Sequence, residues 1–222
     1  MNKILRLPRI IYSVLFLLSC LILLSSCTKT VQNPFSSTHT VQSLIASHGK
    51  VDSAVEQDYI DALLRRLATP LQIEPLPQIT LLAYGTPLAA SIADTDIVLS
   101  TRLIQDLQSE AELSFVLAHE LAHIHLKHAE QVQERDIQEL ELEADSAGLK
   151  IMALAGYDPR SAASALLLLG RAEAHNTSHP ELGKRVQKAR RTALLLLASH
   201  MPVITSSREF RRIQTRLATL TY

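Results

Sequence analysis

The chain has 222 residues, balances 22 Lys and Arg against 22 Asp and Glu, and contains two cysteines and no tryptophan. That length suits one domain with a sizeable core, and the charge balance excludes a nucleic-acid footprint. No internal repeat is visible, so no solenoid is encoded.

Lys3, Arg6 and Arg9 precede an apolar run from Ile10 to Leu24, and Leu24-Ser25-Ser26-Cys27 has the form of a bacterial lipobox. The run is too short and too soon interrupted for a membrane span, so residues 1–26 are expected to be a cleaved lipoprotein signal peptide, with an uncleaved anchor as the competing reading. Cys27 becomes the lipidated first residue; choosing Cys20 instead would leave too short an apolar core. Cleavage and lipidation leave no thiol for a disulfide, so the fold must hold without one. Losing Lys3, Arg6 and Arg9 takes the formal charge from zero to minus three. Thr28 follows the cysteine, with no Asp to suggest inner-membrane retention, which leaves the periplasmic face of the outer membrane. Residues 27–50, rich in Ser, Thr, Gln and His, read as a flexible tether, and residues 51–222 as the folded domain.

Val51 to Ala68 is expected to be a helix with Val55, Tyr59, Ala62, Leu63 and Leu67 inward and Thr69-Pro70 as its stop. It is expected to pack over the helix that begins at Glu110. Residues 77–84 and 96–100 are strand candidates, separated by a Gly85-Thr86-Pro87 turn and an Ala-rich linker. Thr101 to Asp106 starts a short helix. An exposed edge of this small sheet would suit strand addition by an extended polypeptide.

Ser109-Glu110-Ala111-Glu112 reads as a helix cap with acidic first-turn residues, and no Gly or Pro interrupts Glu110 to Gln133. Within that helix His119-Glu120-Leu121-Ala122-His123 forms an HExxH pattern. Residues four apart lie on one face about 6 Å from each other, so the two imidazoles can share one ion. A catalytic zinc takes three protein ligands and keeps a fourth position open. Glu120 is the residue type that serves such sites as general base toward a zinc-activated water.

A second helix is expected from about Gln131 to Ala155, with Ile137, Leu140, Ala144, Ala147, Ile151 and Leu154 as a buried stripe. Glu141 and Asp145 are four apart on it. One carboxylate can bind zinc while the other orients a ligating histidine. Glu143 lacks such a partner, which favours Glu141 as the third ligand. Gly156 and Pro159 end this helix, Ser161 to about Ala174 forms another with Leu166 to Leu169 as core, and a polar loop follows from His175 to Pro180.

The pair His119-Glu120-Leu121-Ala122-His123 and Glu141-Leu142-Glu143-Ala144-Asp145 resembles the HExxH plus ExxAD signature of the HtpX-like and CAAX prenyl protease-like zinc metallopeptidases. Gly156-Tyr157-Asp158-Pro159, Ser178-His179-Pro180 and Arg185 extend the likeness over residues 52 to 192. The resemblance implies a mostly helical α+β fold of the gluzincin type, with a small β-sheet beside the HExxH helix and one Zn2+ per chain. It implies the metal ligands His119, His123 and Glu141, with Glu120 and Asp145 catalytic. His179, with Arg185, would support the oxyanion, or His179 would fill the open metal position in a resting enzyme. His128 resembles a histidine common after the motif and is read as structural. His125 is read as a surface residue. The sequence departs from the family at Ala89-Ala90-Ser91, where Asn-Ala-Phe is frequent, which bears on substrate contacts and not on the metal.

Beyond Leu182 a basic helix carries Ala193 to Leu197 as core, Pro202 breaks it, and Ser206 to Leu220 forms a last amphipathic helix. Its basic residues suit a solvated face, with contact to anionic lipid or an acidic partner as the alternative. The expectation is a lipid-anchored zinc endopeptidase acting on unfolded or misassembled envelope proteins, near the outer-membrane assembly machinery. The alternatives are a non-catalytic or latent chaperone or adaptor for outer-membrane assembly, and more weakly a hydrolase of cell-wall peptide crosslinks.

Overall fold

A computed structural model describes residues 40–173, 180–197 and 203–219. The expected signal segment with Cys20 and Cys27, the loop residue His179, and Pro202 lie outside the described residues. Among the described residues no helix is long and apolar enough to cross a membrane.

The folded part begins ahead of the expected boundary at residue 51. Helix α1 (Val41–His48) is capped by Thr40, whose hydroxyl accepts from the Ser43 N–H at 3.2 Å. Val41, Leu44 and Ile45 stand at helical spacing in an otherwise polar stretch, and Leu44 is buried. The chain then runs antiparallel to the first strand, with the Val51 N–H donating to the Leu81 carbonyl at 2.9 Å. Residues 41–50 are therefore part of the domain and not tether.

Helix α2 (Ala54–Ala68) buries Ile60, Leu63, Leu64 and Leu67, while Val55 and Ala62 are exposed. The inward face is rotated from the expected one because Glu56 occupies it. Arg216 from the far end of the chain donates to that carboxylate at 2.6 Å, and the Ser53 hydroxyl binds it as well. A carboxylate neutralised from so far away leaves no trace in local apolar periodicity.

Strands β1 (Gln78–Leu82), β2 (Ala89–Ile92) and β3 (Asp96–Ser100) form one sheet in the order β1-β3-β2. β1 runs parallel to β3, pairing Ile79 with Ile97 and Leu81 with Leu99, and β2 runs antiparallel to β3, pairing Ala90 with Val98. The Ala-rich linker is thus the edge strand β2. Alanine has weak strand preference, and here the pairing comes from the neighbouring β3.

Helix α3 (Thr101–Asp106) starts on Ser100, whose hydroxyl accepts from the Leu103 N–H at 3.1 Å. Helix α4 (Glu110–His125) starts on Ser109, which caps the Glu112 N–H at 3.2 Å. Every residue of α4 from Glu110 to Ala122 is buried. Phe115, Val116, Leu117 and Leu121 contribute about 1.5–3 kcal/mol each by burial, which offsets the cost of holding His119 and Glu120 among them. α4 packs against α2, β2 and most extensively α6.

α4 does not continue to Gln133. It stops at His125, where Lys127 adopts a left-handed conformation with φ 56, and a short helix α5 (His128–Gln131) follows. Helix α6 (Ile137–Leu154) then begins on Asp136, whose carboxylate caps the Gln138 N–H, later than the expected Gln131. Ile137 and Leu154, expected in the buried stripe, are exposed at the two ends of α6. Gly156, at φ 87, closes α6, and the Tyr157 N–H donates back to the Met152 carbonyl.

Helices α7 (Ala162–Glu173) and α8 (Pro180–Leu196) pack against each other, and α9 (Arg208–Thr219) ends the described chain. Leu166 is buried, but Leu194 and Leu195, expected as core, are 68% and 78% exposed. The segment before α9 is stitched to the start of α4 and the end of α6. Ile204 exchanges backbone hydrogen bonds with Gly156 and Asp158, the Thr205 carbonyl accepts from Ala111, and the Ser207 hydroxyl binds Glu110. The architecture is a mostly helical α+β domain whose sheet lies beside the HExxH helix.

Candidate metal centre

His119 and His123 lie one turn apart near the end of α4, and Glu141 approaches them from α6. The Nε2 atoms of the two histidines are 3.1 Å apart. Glu141 sets Oε2 at 3.5 Å from His119 Nε2 and Oε1 at 3.4 Å from His123 Nε2. One donor atom from each of these residues lies within 4.8 Å of the others, and they are the sole such metal-competent group among the described residues. A tetrahedral ion with bonds of about 2.0–2.1 Å places its ligand atoms roughly 3.3 Å apart, so the separations suit zinc. Two imidazole nitrogens and one carboxylate are also the donor types that zinc takes.

The carboxylate Asp145, one turn beyond Glu141, faces the other nitrogen of His119, with Oδ1 3.1 Å from Nδ1. Arg185 on α8 binds Asp145 through Nε and a terminal nitrogen, both at 2.8 Å, and reaches Glu141 Oε2 with its other terminal nitrogen at 2.9 Å. One guanidinium thus fixes both carboxylates in a planar, charge-assisted arrangement. This differs from the expected oxyanion contact. The fork of Arg185 is engaged with Asp145 and Glu141.

The electrostatics follow from that geometry. Burial opposes a charge on His119, but hydrogen bonds and attraction from Asp145 and Glu141 outweigh it and push its pKa up to about 10. Burial likewise works against ionised Glu141 and Asp145. The histidines and Arg185 hold Glu141 well below the usual carboxylate range, and Arg185 and His119 hold Asp145 below it. Two carboxylates are thus balanced by Arg185 and by the proton that His119 holds, and a metal cation would take that proton's place.

Glu120 follows His119 directly on α4 and is 6% exposed. The close approach of α6 to this point depends on Gly148. A Cβ there would stand 3.0 Å from the His119 backbone nitrogen and 3.1 Å from its Cα.

Residues 54–139 match the model of peptidase family M48, and residues 99–201 match that of peptidase U49. The first match takes in the HExxH helix and the second adds the helix that carries Glu141 and Asp145. Over these stretches the chain is similar to peptidases, and its HExxH helix is M48-like. No curated protein matches it.

Two residues of this M48-like site stand in contacts that the sequence reading did not foresee, His128 having been read only as structural and Glu143 only as the less favoured ligand. His128 is buried with Nδ1 3.0 Å from His123 Nδ1. Burial, then the neighbouring His123 ring, lower its pKa. Glu143, which lacked a helical-spacing partner, is bound by Arg135 at 2.8 Å and stands 3.7 Å from His128 Nε2. On an unbroken helix His128 would be turned about 140° from His123. The break at Lys127 brings it back, and a non-glycine left-handed residue is hard to foresee from sequence. His125 is exposed.

Proposed function

We propose that this M48-like chain is a zinc-dependent endopeptidase, lipid-anchored through Cys27 at the periplasmic face of the outer membrane, that hydrolyses misfolded or unassembled envelope proteins. The observation that carries the catalytic reading is the convergence of His119, His123 and Glu141 at separations that suit a tetrahedral ion, beside a buried Glu120. When bound there, zinc supplies Lewis acidity toward the scissile carbonyl and acidifies water toward a pKa of about 7.

Glu120 takes a proton from the attacking water as its oxygen bonds to the carbonyl carbon, and returns it to the amine as the C–N bond breaks. Asp145 faces His119 Nδ1 across 3.1 Å, and a proton held on that side by the carboxylate would leave Nε2 bare for the metal. Arg185 holds Glu141 and Asp145 in register. His179 is assigned to the developing oxyanion by its place in the Ser-His-Pro loop. The edge strand β2 packs against α4 and would pair with an extended substrate, which accounts for action on many unfolded sequences.

The test is zinc content beside cleavage of an unfolded protein. Wild type should carry near one zinc per chain and His123→Ala none, while Glu120→Gln keeps its zinc and loses at least about 100-fold in cleavage rate. Folded wild type without zinc would remove the mechanism, and full activity in Glu120→Gln would remove the assigned base. The anchor is tested separately by labelled fatty acid, which should enter wild type and not Cys27→Ser; an unlabelled wild type would reject it.

A further inference from the structure

We infer that His128 is a positioning residue for the metal ligand His123: it accepts the His123 Nδ1 proton and so keeps Nε2 bare and aimed at the ion. The inference rests on the metal-site reading above.

His123 Nε2 faces the other two donors, 3.1 Å from His119 Nε2 and 3.4 Å from Glu141 Oε1. For that nitrogen to ligate, the single proton of the neutral ring must sit on Nδ1. His123 Nδ1 lies 3.0 Å from His128 Nδ1. Two ring nitrogens at that distance need one donor and one acceptor, so His128 Nδ1 is bare and its own proton is on Nε2. That nitrogen is buried without a hydrogen-bond partner and points at Glu143 Oε2 across 3.7 Å. The separation is too long for a hydrogen bond, but an N–H facing a carboxylate is the favourable orientation and a bare nitrogen there would be repelled. Arg135 holds Glu143 from the other side at 2.8 Å and is itself fixed by donating to Gln131 Oε1 at 2.8 Å.

The two histidine ligands are therefore backed differently. His119 leans on the carboxylate Asp145 and, through it, on Arg185. His123 leans on a neutral imidazole whose orientation Glu143 and Arg135 set. With His128 only 2% exposed, bulk water does not compete for the His123 proton. Loss of the acceptor leaves a buried N–H unpaired and the ligand ring free to turn.

The test compares zinc affinity by chelator competition at one pH for wild type, His128→Leu and His128→Asn. Leu fills the space without an acceptor, and Asn returns an acceptor oxygen near the position of Nδ1. His128→Leu should weaken zinc binding about 10–100-fold, and His128→Asn should lie closer to wild type than to the Leu variant. Equal affinity in wild type and His128→Leu, or equal loss in both variants, overturns the role. Should His128→Leu fail to fold, nitrogen-15 spectra of zinc-loaded wild type decide. His128 protonated on Nε2 alone supports the inference, and a proton on Nδ1 overturns it. Wild type that binds no zinc removes the metal-site reading together with this one, whereas zinc binding that ignores position 128 removes this one only.

Discussion

His119 sits between two opposing demands, and its response to pH is the clearest residue-scale consequence. Burial disfavours its charged form, but Asp145 and Glu141 raise its pKa from 6.5 to about 10 in the protein without metal. A raised histidine contributes stability that is complete below about pH 6.5 and is lost as pH climbs through about 10. Glu141 and Asp145 are lowered from 4.5 and 3.8, so their contribution is complete above those values and lost as pH falls through the lowered ones. Stripped of metal, the protein is therefore expected to draw full stability from this cluster between about pH 4.5 and 6.5. Its melting temperature should fall toward pH 10, and saturating zinc should flatten that fall because the ion replaces the proton. A metal-free melting temperature that rises from pH 6.5 to 10 would contradict the assignment.

At the scale of elements, the site depends on how closely α6 lies on α4. Gly148 sets that distance, since an added Cβ would meet backbone atoms of His119 and Ala118 and not a movable side-chain tip. Gly148→Ala favours the helix intrinsically, yet overpacking at a rigid contact costs about 1–3 kcal/mol. The expected result is net destabilisation in urea, together with weaker zinc binding because Glu141 and Asp145 are carried by the displaced helix. A variant as stable as wild type with unchanged zinc affinity would show that the helices separate freely. The opposite end of α4 is pinned independently. Tyr157 donates to buried Glu110 at 2.8 Å, and Ser207 binds the same carboxylate.

For the whole molecule, a metal that joins two helices stabilises the domain by linkage. The candidate ligands come from α4 and α6, and the arginine behind them from α8, so unfolding of any one of these elements would dismantle the site. Zinc at about 100 times its dissociation constant should add about 2.7 kcal/mol, a rise of roughly 5–10 °C in melting temperature for a domain of this size. Calorimetry with His123→Ala as control checks it; an equal rise in that variant would place the effect elsewhere on the surface.

The sequence by itself determined what depends on near neighbours. Ser109 announced the start of α4, and the four-residue spacing placed His119 beside His123 and Glu141 beside Asp145, because helical geometry converts spacing into proximity. The choice between Glu141 and Glu143 as donor awaited the packing of α6 on α4, with Arg135 holding Glu143 away toward His128. Tertiary structure also decided the strand at Ala89–Ile92, the inward turn of Glu56 toward Arg216, the turn that returns His128 to His123, and the grip of Arg185 on two carboxylates. Most of these join residues far apart in the chain, and the His128 contact depends on a backbone break that helical periodicity cannot express.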